Sequence, residues 1–342
     1  MKLVNYMRII AAICVYAMLG ASCSSGGGAT DTAPPINPPP AQQRPAFDQG
    51  RAFDDLETQV AFGARIPGSD AHADCLQFIS GRLVDAGAQI VTQEFSSRTP
   101  LGGDAEYDFT NVAGLFSADA PGDVLMLAAH WDSRAKADHD PDPALRDDPV
   151  PGANDGASGA AILLEIARAF KQQAPDRPVI LAFFDAEDQG DRMTAEWPEG
   201  GWILGSREMA TNWPAALPWP DQMILLDLVG GDNEPNPRLG TPGVSDNQFR
   251  LPIELNSLRE APNLVDEIWT IAERLGNDAF VRSGGTSVID DHIPFQEAGV
   301  AAIDIIEFVP PEWHTTDDTP EHCSASSLGQ VGETLLEYIY PD

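Results

Sequence analysis

The sequence has few basic residues and no internal repeat. Its 342 residues include 20 lysines and arginines against 53 acids, which gives a formal net charge of −33. A field of that sign repels nucleic acid and anionic lipid, so we expect neither as a partner. Hydrophobic residues make up 43% of the chain, enough for a substantial core. Without a repeat or a second core pattern, this length predicts one large α/β domain with tails.

The chain also lacks a predicted membrane-spanning helix at its N terminus. The apolar run Ile9–Leu19 is too short to cross a bilayer as a stable helix. It follows two basic residues and precedes small residues, which is typical of an export signal. Cys23 lies where a lipoprotein signal has its acylated cysteine, although Leu19 stands four residues before it instead of three. We predict a signal peptide over 1–23, with lipid attachment or plain cleavage as alternatives.

Residues 24–46 are rich in Ser, Gly, Ala and Pro and show no apolar periodicity. That composition predicts a disordered tether, with the folded domain over 47–342. We expect the protein to be exported to the periplasm, the outer membrane or the cell surface of a bacterium. Its only membrane attachment would be a lipid on Cys23. The sequence leaves the oligomeric state open.

Only two cysteines fall in the predicted domain, Cys75 and Cys323. In an oxidising compartment they could pair, and the alternative is two separate buried thiols. The spacing does not decide between them. We take a Cys75–Cys323 disulfide as the prediction to test.

Apolar runs alternate with helical patterns through the domain. A mostly parallel, mixed and twisted sheet with helices on both faces is the architecture that this alternation predicts. The predicted strands are 89–95, 108–116, 124–129, 178–184, 223–228 and 300–306, and the predicted helices are 69–86, 160–171 and 326–339.

Polar residues follow the predicted strands where each strand ends. Ligands of open α/β sheets gather at those carboxyl ends, so we expect these side chains to meet. So many acids would repel one another without a cation, and carboxylate with imidazole ligands suits zinc that keeps an open position. Taken singly, each has a structural explanation, such as a helix cap. The residues are His130, Asp132, Asp155, Glu187, Asp188, Asp227 and His314.

Eight short motifs occur in an order that resembles a known superfamily. From Arg65 to the C terminus they read RIPGS, TNVAGLF, AHWDS, GANDGASG, FFDAED, LLDLVG, DDHIPF and PEWHT. This series is similar to the zinc aminopeptidase and glutaminyl cyclase superfamily. The resemblance implies a single zinc-dependent catalytic domain of the phosphorylase–hydrolase-like α/β fold.

The resemblance also implies a metal site. By motif, Asp155, Asp188 and His314 match the ligands of one zinc ion per chain. Asp188 stands where animal cyclases usually have glutamate, so the metal must lie closer to the strand end. A peptidase of this superfamily would bind two zinc ions, and His130 and Asp227 occupy the positions of the additional ligands.

Catalytic and substrate-binding roles follow from the same motifs. Glu187 matches the general acid/base, and Asp290 and Asp227 match acids that bond to this glutamate and to substrate. Trp313 matches an aromatic residue of the substrate pocket. Two further tryptophans are candidates for that pocket, with ordinary packing as the alternative for at least one: Trp202 and Trp197.

Two activities are compatible with this site. A glutaminyl-peptide cyclotransferase converts the N-terminal glutamine of peptides or proteins to pyroglutamate and releases ammonia, whereas an aminopeptidase cleaves N-terminal residues. The motifs FFDAED, LLDLVG and DDHIPF, and the tryptophan before His314, resemble the cyclases more closely. We therefore predict the cyclotransferase and keep the metallo-aminopeptidase as the alternative. A non-catalytic binding domain is disfavoured because every expected position is filled.

Overall fold

The computed structural model describes residues 44–101, 105–191, 200–234, 236, 238–239 and 248–341. The predicted signal peptide, most of the predicted tether and Trp197 lie outside the described residues. Arg44, near the end of the predicted tether, donates from Nε to Glu337 Oε2 at 2.8 Å. The described residues belong to one compact unit. In the part of the chain that the structure describes, no helix is both long enough and apolar enough to cross a membrane.

Six strands form the main sheet, in the order β1-β2-β4-β3-β5-β8. β1 and β2 pair antiparallel, as do β2 and β4, while β4, β3, β5 and β8 run parallel to one another. The predicted mixed, mostly parallel sheet is confirmed. The strands are β1 Gln89–Arg98, β2 Glu106–Phe116, β3 Leu125–His130, β4 Val179–Phe184, β5 Gln222–Asp227, β6 Leu251–Pro252, β7 Phe280–Val281 and β8 Ala301–Ile306, with β6 and β7 forming a separate pair.

Helices cover both faces of the sheet. Leu125 and Leu127 of β3 pack into the layer that contains α1, α2, α3, α6 and α8, whereas Met126 and Ala128 face the layer of α4 and α7. Burial on both faces explains why the central strands are continuous apolar runs. The helices are α1 Gln49–Ala61, α2 Asp70–Ala86, α3 Gly159–Gln172, α4 Leu204–Thr211, α5 Leu255–Glu260, α6 Pro262–Leu275, α7 Ile293–Glu297 and α8 Ala325–Ile339.

The predicted disulfide is wrong, because Cys75 and Cys323 are both free, buried thiols. Cys75 lies within α2, where its Sγ is 3.9 Å from Oε1 of Gln59. Cys323 follows a single 3-10 turn and forms a backbone bridge with Gly231. Burial raises the pKa of Cys75 to about 12, so its thiol stays protonated at neutral pH. The sequence is compatible with either state of the two cysteines, and only the packing distinguishes them.

Candidate active site

Neighbouring parallel strands bring the predicted site residues to one edge of the sheet. His130 is the last residue of β3 and lies in register with Phe184, the last residue of β4. Glu187 and Asp188 follow β4 after a short turn, and Asp227 is the last residue of β5. The expectation that these side chains meet at the carboxyl ends of the strands is confirmed.

A cavity of about 620 Å³ lies over this edge. Apolar side chains, including Ile289, Phe308 and Val309, form part of its wall. His130 lies behind the wall, in contact with two of its carboxylates. The predicted site residues that line the cavity are Asp155, Glu187, Asp188, Trp202, Asp227, Asp290, Trp313 and His314.

Asp155, Asp188 and His314 form a group that can hold a metal ion. Nε2 of His314 lies 3.4 Å from Oδ1 of Asp188 and 3.8 Å from Oδ2 of Asp155. Oδ2 of Asp188 is buried and has no hydrogen-bond partner among the described residues. An unpaired buried carboxylate oxygen is costly. Two carboxylates and one imidazole therefore fit a zinc ion with an open coordination position.

A second group, His130, Asp155 and Asp227, adjoins the first. Nε2 of His130 lies 3.1 Å from Oδ1 of Asp155 and 3.1 Å from Oδ1 of Asp227. Asp155 thus faces one histidine with each oxygen, as a bridging ligand would. Burial lowers the pKa of His130, but hydrogen bonds to the surrounding carboxylates outweigh it and raise the pKa well above the usual value.

A sharp turn before α3 directs Asp155 into the site. Gly156 has φ of 98°, and a Cβ there would lie 2.4 Å from the carbonyl oxygen of Asp132. Asp318 accepts hydrogen bonds from the backbone N–H groups of Asn154 and Asp155 at 2.7 and 3.1 Å. The carboxylate of Asp155 faces the histidines, so the alternative that Asp155 caps the following helix does not hold.

Asp132 belongs to neither of these two groups and supports the backbone instead. Its carboxylate accepts from the N–H groups of Glu187 and Asp188 at 3.0 and 3.3 Å. Ala186, just before them, has φ of 57°, and His314 also has φ of 57°. Left-handed backbone at non-glycine residues is strained and clusters at functional sites. The strain and the Asp132 bonds together turn Glu187 and Asp188 of the FFDAED motif into the cavity.

Arg134 was not predicted as a site residue, yet it bonds to one ligand of the first group, Asp188, and reaches His314 through Asp138. Its Nη1 donates to Oδ1 of Asp188 at 2.8 Å, and its Nε and Nη2 each donate to Asp138 at 2.8 Å. Oδ1 of Asp138 is 3.5 Å from Nδ1 of His314. The guanidinium also lies 4.7 Å from the ring centroid of Trp202. Such outer contacts orient metal ligands. The only sequence signal was an arginine beside the AHWDS motif.

Glu187 and Asp290 are buried carboxyl groups whose pKa values are both raised. Burial, and then the charge of Asp188, raises the pKa of Glu187 well above its ordinary value. Burial, and then the charge of Asp227, does the same to the pKa of Asp290. Burial, and then the charge of Asp290, also raises the pKa of Asp304, a buried acid of β8 that was not predicted although it interrupts an apolar strand. Carboxyl groups shifted toward neutral pH are suited to proton transfer.

Two tryptophans enclose the metal-binding side of the cavity. The ring of Trp202 stacks on His314 at a centroid distance of 6.2 Å and an interplanar angle of 9°. The Trp313 ring meets His139 edge-on at 4.6 Å. Both tryptophans are partly exposed and line the cavity. Trp202 also packs on the guanidinium of Arg134. It therefore both lines the cavity and makes an ordinary packing contact.

The fold and this cavity define an α/β enzyme with a candidate metal centre. Residues 111–339 match peptidase family M28, and the chain belongs to that family. A glutaminyl-peptide cyclotransferase from Bos taurus is 30% identical over 309 residues, which cover 81% of this chain and 79% of that protein.

Two solved structures resemble the whole fold. A glutaminyl cyclase from Tannerella forsythia is 34% identical with a TM-score of 0.79, covering 87% of this chain and 100% of the other. A Zn-dependent exopeptidase from Parabacteroides distasonis is 33% identical with a TM-score of 0.79, covering 88% and 100%. The resemblance to the glutaminyl cyclase branch of the superfamily is confirmed by these relatives.

Proposed function

We propose that the protein is a zinc-dependent glutaminyl-peptide cyclotransferase that acts on peptides or proteins with N-terminal glutamine. The observation that supports this most is a single cavity in which Asp155, Asp188 and His314 adjoin Glu187 beneath an aromatic wall. Relatives named as glutaminyl cyclases add support. We further propose that the protein acts outside the cytoplasm, as the predicted signal peptide implies.

The reaction forms one bond and breaks another within a single residue. The α-amine attacks the γ-amide carbon of the same glutamine, the new C–N bond closes the ring, and the amide nitrogen leaves as ammonia. Zinc held by Asp155, Asp188 and His314 would act as a Lewis acid toward the amide oxygen. Glu187 takes the proton that the amine loses and delivers it to the departing nitrogen.

Positioning accounts for much of such a reaction, because the nucleophile is already part of the substrate. Trp202 and Trp313 form a wall against which the glutamine side chain can fold back. Asp227 and Asp290 face the same cavity and can accept hydrogen bonds from the amine. The side chains of Ile289 and Val309 add an apolar part to the same cavity wall.

Aminopeptidase activity is the second candidate function. The His130–Asp155–Asp227 group favours it, since it supplies ligands for a second metal ion. The similarity to a Zn-dependent exopeptidase favours it too. A peptidase would need a water molecule where the cyclase has the substrate amine, so the number of metal ions and the product distinguish the two.

Purified protein is expected to retain about one equivalent of zinc after dialysis, and His130→Ala is expected to keep it. The reason is that His130 is not among the three proposed ligands, Asp155, Asp188 and His314. Elemental analysis of both proteins measures this, with His322→Ala as the control. Two equivalents in the wild type, one of them lost in His130→Ala, would favour the peptidase.

A peptide that begins with glutamine is expected to lose ammonia and keep its full chain. A matched peptide that begins with alanine is expected to remain unchanged, because it has no γ-amide to attack. Mass spectrometry of both after incubation with the zinc-loaded protein gives the answer. Release of free alanine or glutamine would instead establish the aminopeptidase.

A further inference from the structure

A second cavity, of about 670 Å³, adjoins the candidate active site. The two cavities share the side chains of Phe308, Val309 and Trp313 as wall. A ligand whose first group occupies the active site can therefore continue directly into the second cavity. We call it the outer cavity.

The outer cavity is acidic. Arg250 is the one lysine or arginine among the described residues that line it, and it donates to Gln248. Against this single cation stand four acids: Asp232, Glu234, Glu307 and Glu312. A ligand that enters this space therefore meets an excess of negative charge at short range.

Glu307 is an acid of the wall without a positively charged partner among the described residues. Its Oε2 is buried and has no hydrogen-bond partner in the described part of the chain. Burial, and then the charges of Glu312 and Asp232, raises the pKa of Glu307 to about 8. Groups that raise one another's pKa in this way are stabilised by an added cation.

The backbone approaches this carboxylate closely. A Cβ on Gly231 would lie 2.4 Å from Oε2 of Glu307, so a side chain at that position would clash with the carboxylate. Gly284 lines the same cavity, and its added Cβ would meet no atom within 4 Å. Glu307, which carries the unpaired oxygen, itself lines the outer cavity.

We propose that the outer cavity binds the part of a peptide substrate that follows its N-terminal residue, and that it favours a lysine or arginine side chain there. This rests on the proposed function only in that a peptide has its first residue in the active-site cavity. A peptide with its first side chain against Trp313 has the outer cavity as its continuation, and a cationic side chain supplies the charge that the wall lacks.

The first experiment compares peptides of the form Gln-Xaa-Gly-amide and Gln-Gly-Xaa-amide, with Xaa as Lys, Ala or Glu. Ammonia release gives kcat/KM for each peptide. We expect the order Lys, Ala, Glu at one of the two positions, with about 3- to 10-fold between neighbours in low salt. The differences are expected to shrink as ionic strength rises, because salt screens charges on this length scale.

The second experiment assigns the preference to the outer cavity. The double variant Glu234→Gln/Glu307→Gln is expected to bring the Lys-to-Glu ratio of kcat/KM toward one. Glu57→Gln/Asp119→Asn is the matched control, since it removes two negative charges at exposed positions that line neither cavity. Its ratio is expected to equal that of the wild type, which excludes an effect of net charge alone.

Equal kcat/KM for the Lys and Glu peptides, or a ratio that the double variant leaves unchanged, overturns the outer-cavity proposal. Failure of the proposed function looks different, because free glutamine would appear instead of ammonia. The ratio can then be measured from that product. If no peptide is turned over, the proposed function fails, and calorimetric titration with the same peptides measures the preference.

Discussion

Glu187→Gln is expected to lower the turnover of N-terminal glutamine by about 10²–10⁴-fold while zinc stays bound. The amide has nearly the shape of the acid but cannot take the proton from the substrate amine. Glu187 is bonded through its backbone N–H to Asp132, and that contact is unaffected by the substitution. We therefore expect Glu187→Gln to keep its fold and its bound zinc and to lose proton transfer.

Ammonia release and zinc content measured on the same preparation test this role. Glu57→Gln provides a control for the loss of one carboxylate. If Glu187→Gln retained both zinc and activity within a few-fold of the wild type, Glu187 would not be the acid/base. If Glu187→Gln lost zinc, Glu187 would itself be a metal ligand in addition to Asp188.

The strand ends of the site were predictable because burial on both faces makes the central strands apolar throughout. The sequences of β3, β4 and β5 are apolar runs, so a histidine or an acid at the end of such a run is easily recognised. The carboxyl ends of parallel strands lie at one edge of a sheet. Residues at these ends are therefore close in space even when they are far apart in the sequence.

Helix α1 was not predicted because half of its buried face is polar. Asp55 and Gln59 lie on that face with Ala52 and Leu56. Asp55 is compensated by Arg168 from α3, and by Arg82 from α2 at 3.3 Å. Those partners come from other helices, so the hydrophobic pattern of α1 alone is too weak to indicate it.

Helix α6 is a different case, because its sequence does show helical spacing. Leu264, Ile268 and Ala272 recur every four residues and are buried, with Trp269 beside them. Gly276, in the left-handed conformation, ends the helix. The periodicity was therefore sufficient to predict a helix, although none was predicted there. α6 was predictable, whereas α1 was not.

The contacts that orient the metal ligands could not be read from the sequence. Arg134 lies 54 positions from Asp188, and Asp138 meets His314 from a different loop. Each is an ordinary charged residue in an acidic chain until the fold brings the loops together. The same is true of the outer cavity, whose acids come from segments around Asp232 and Glu307.

Asp155→Asn is expected to remove bound metal and to lower turnover by about 100-fold or more. Loss of an outer contact to a metal ligand typically costs about 10- to 100-fold, so loss of a ligand oxygen should cost at least as much. The two oxygens of Asp155 face His130 and His314 separately. An asparagine replaces one of them with an NH₂ group that cannot coordinate, and it also removes the negative charge.

This substitution tests the metal centre independently of the reaction, since Asp155 belongs to both groups of ligands. Zinc content after dialysis is the primary measurement, and circular dichroism melting checks that the domain still folds. Asp119→Asn, at an exposed acid away from the cavity, is the control and is expected to keep its zinc. Full zinc content in folded Asp155→Asn would show that the ion is held elsewhere. In that event both the cyclase and the peptidase assignments of the site would fail together, because each depends on Asp155 as a ligand.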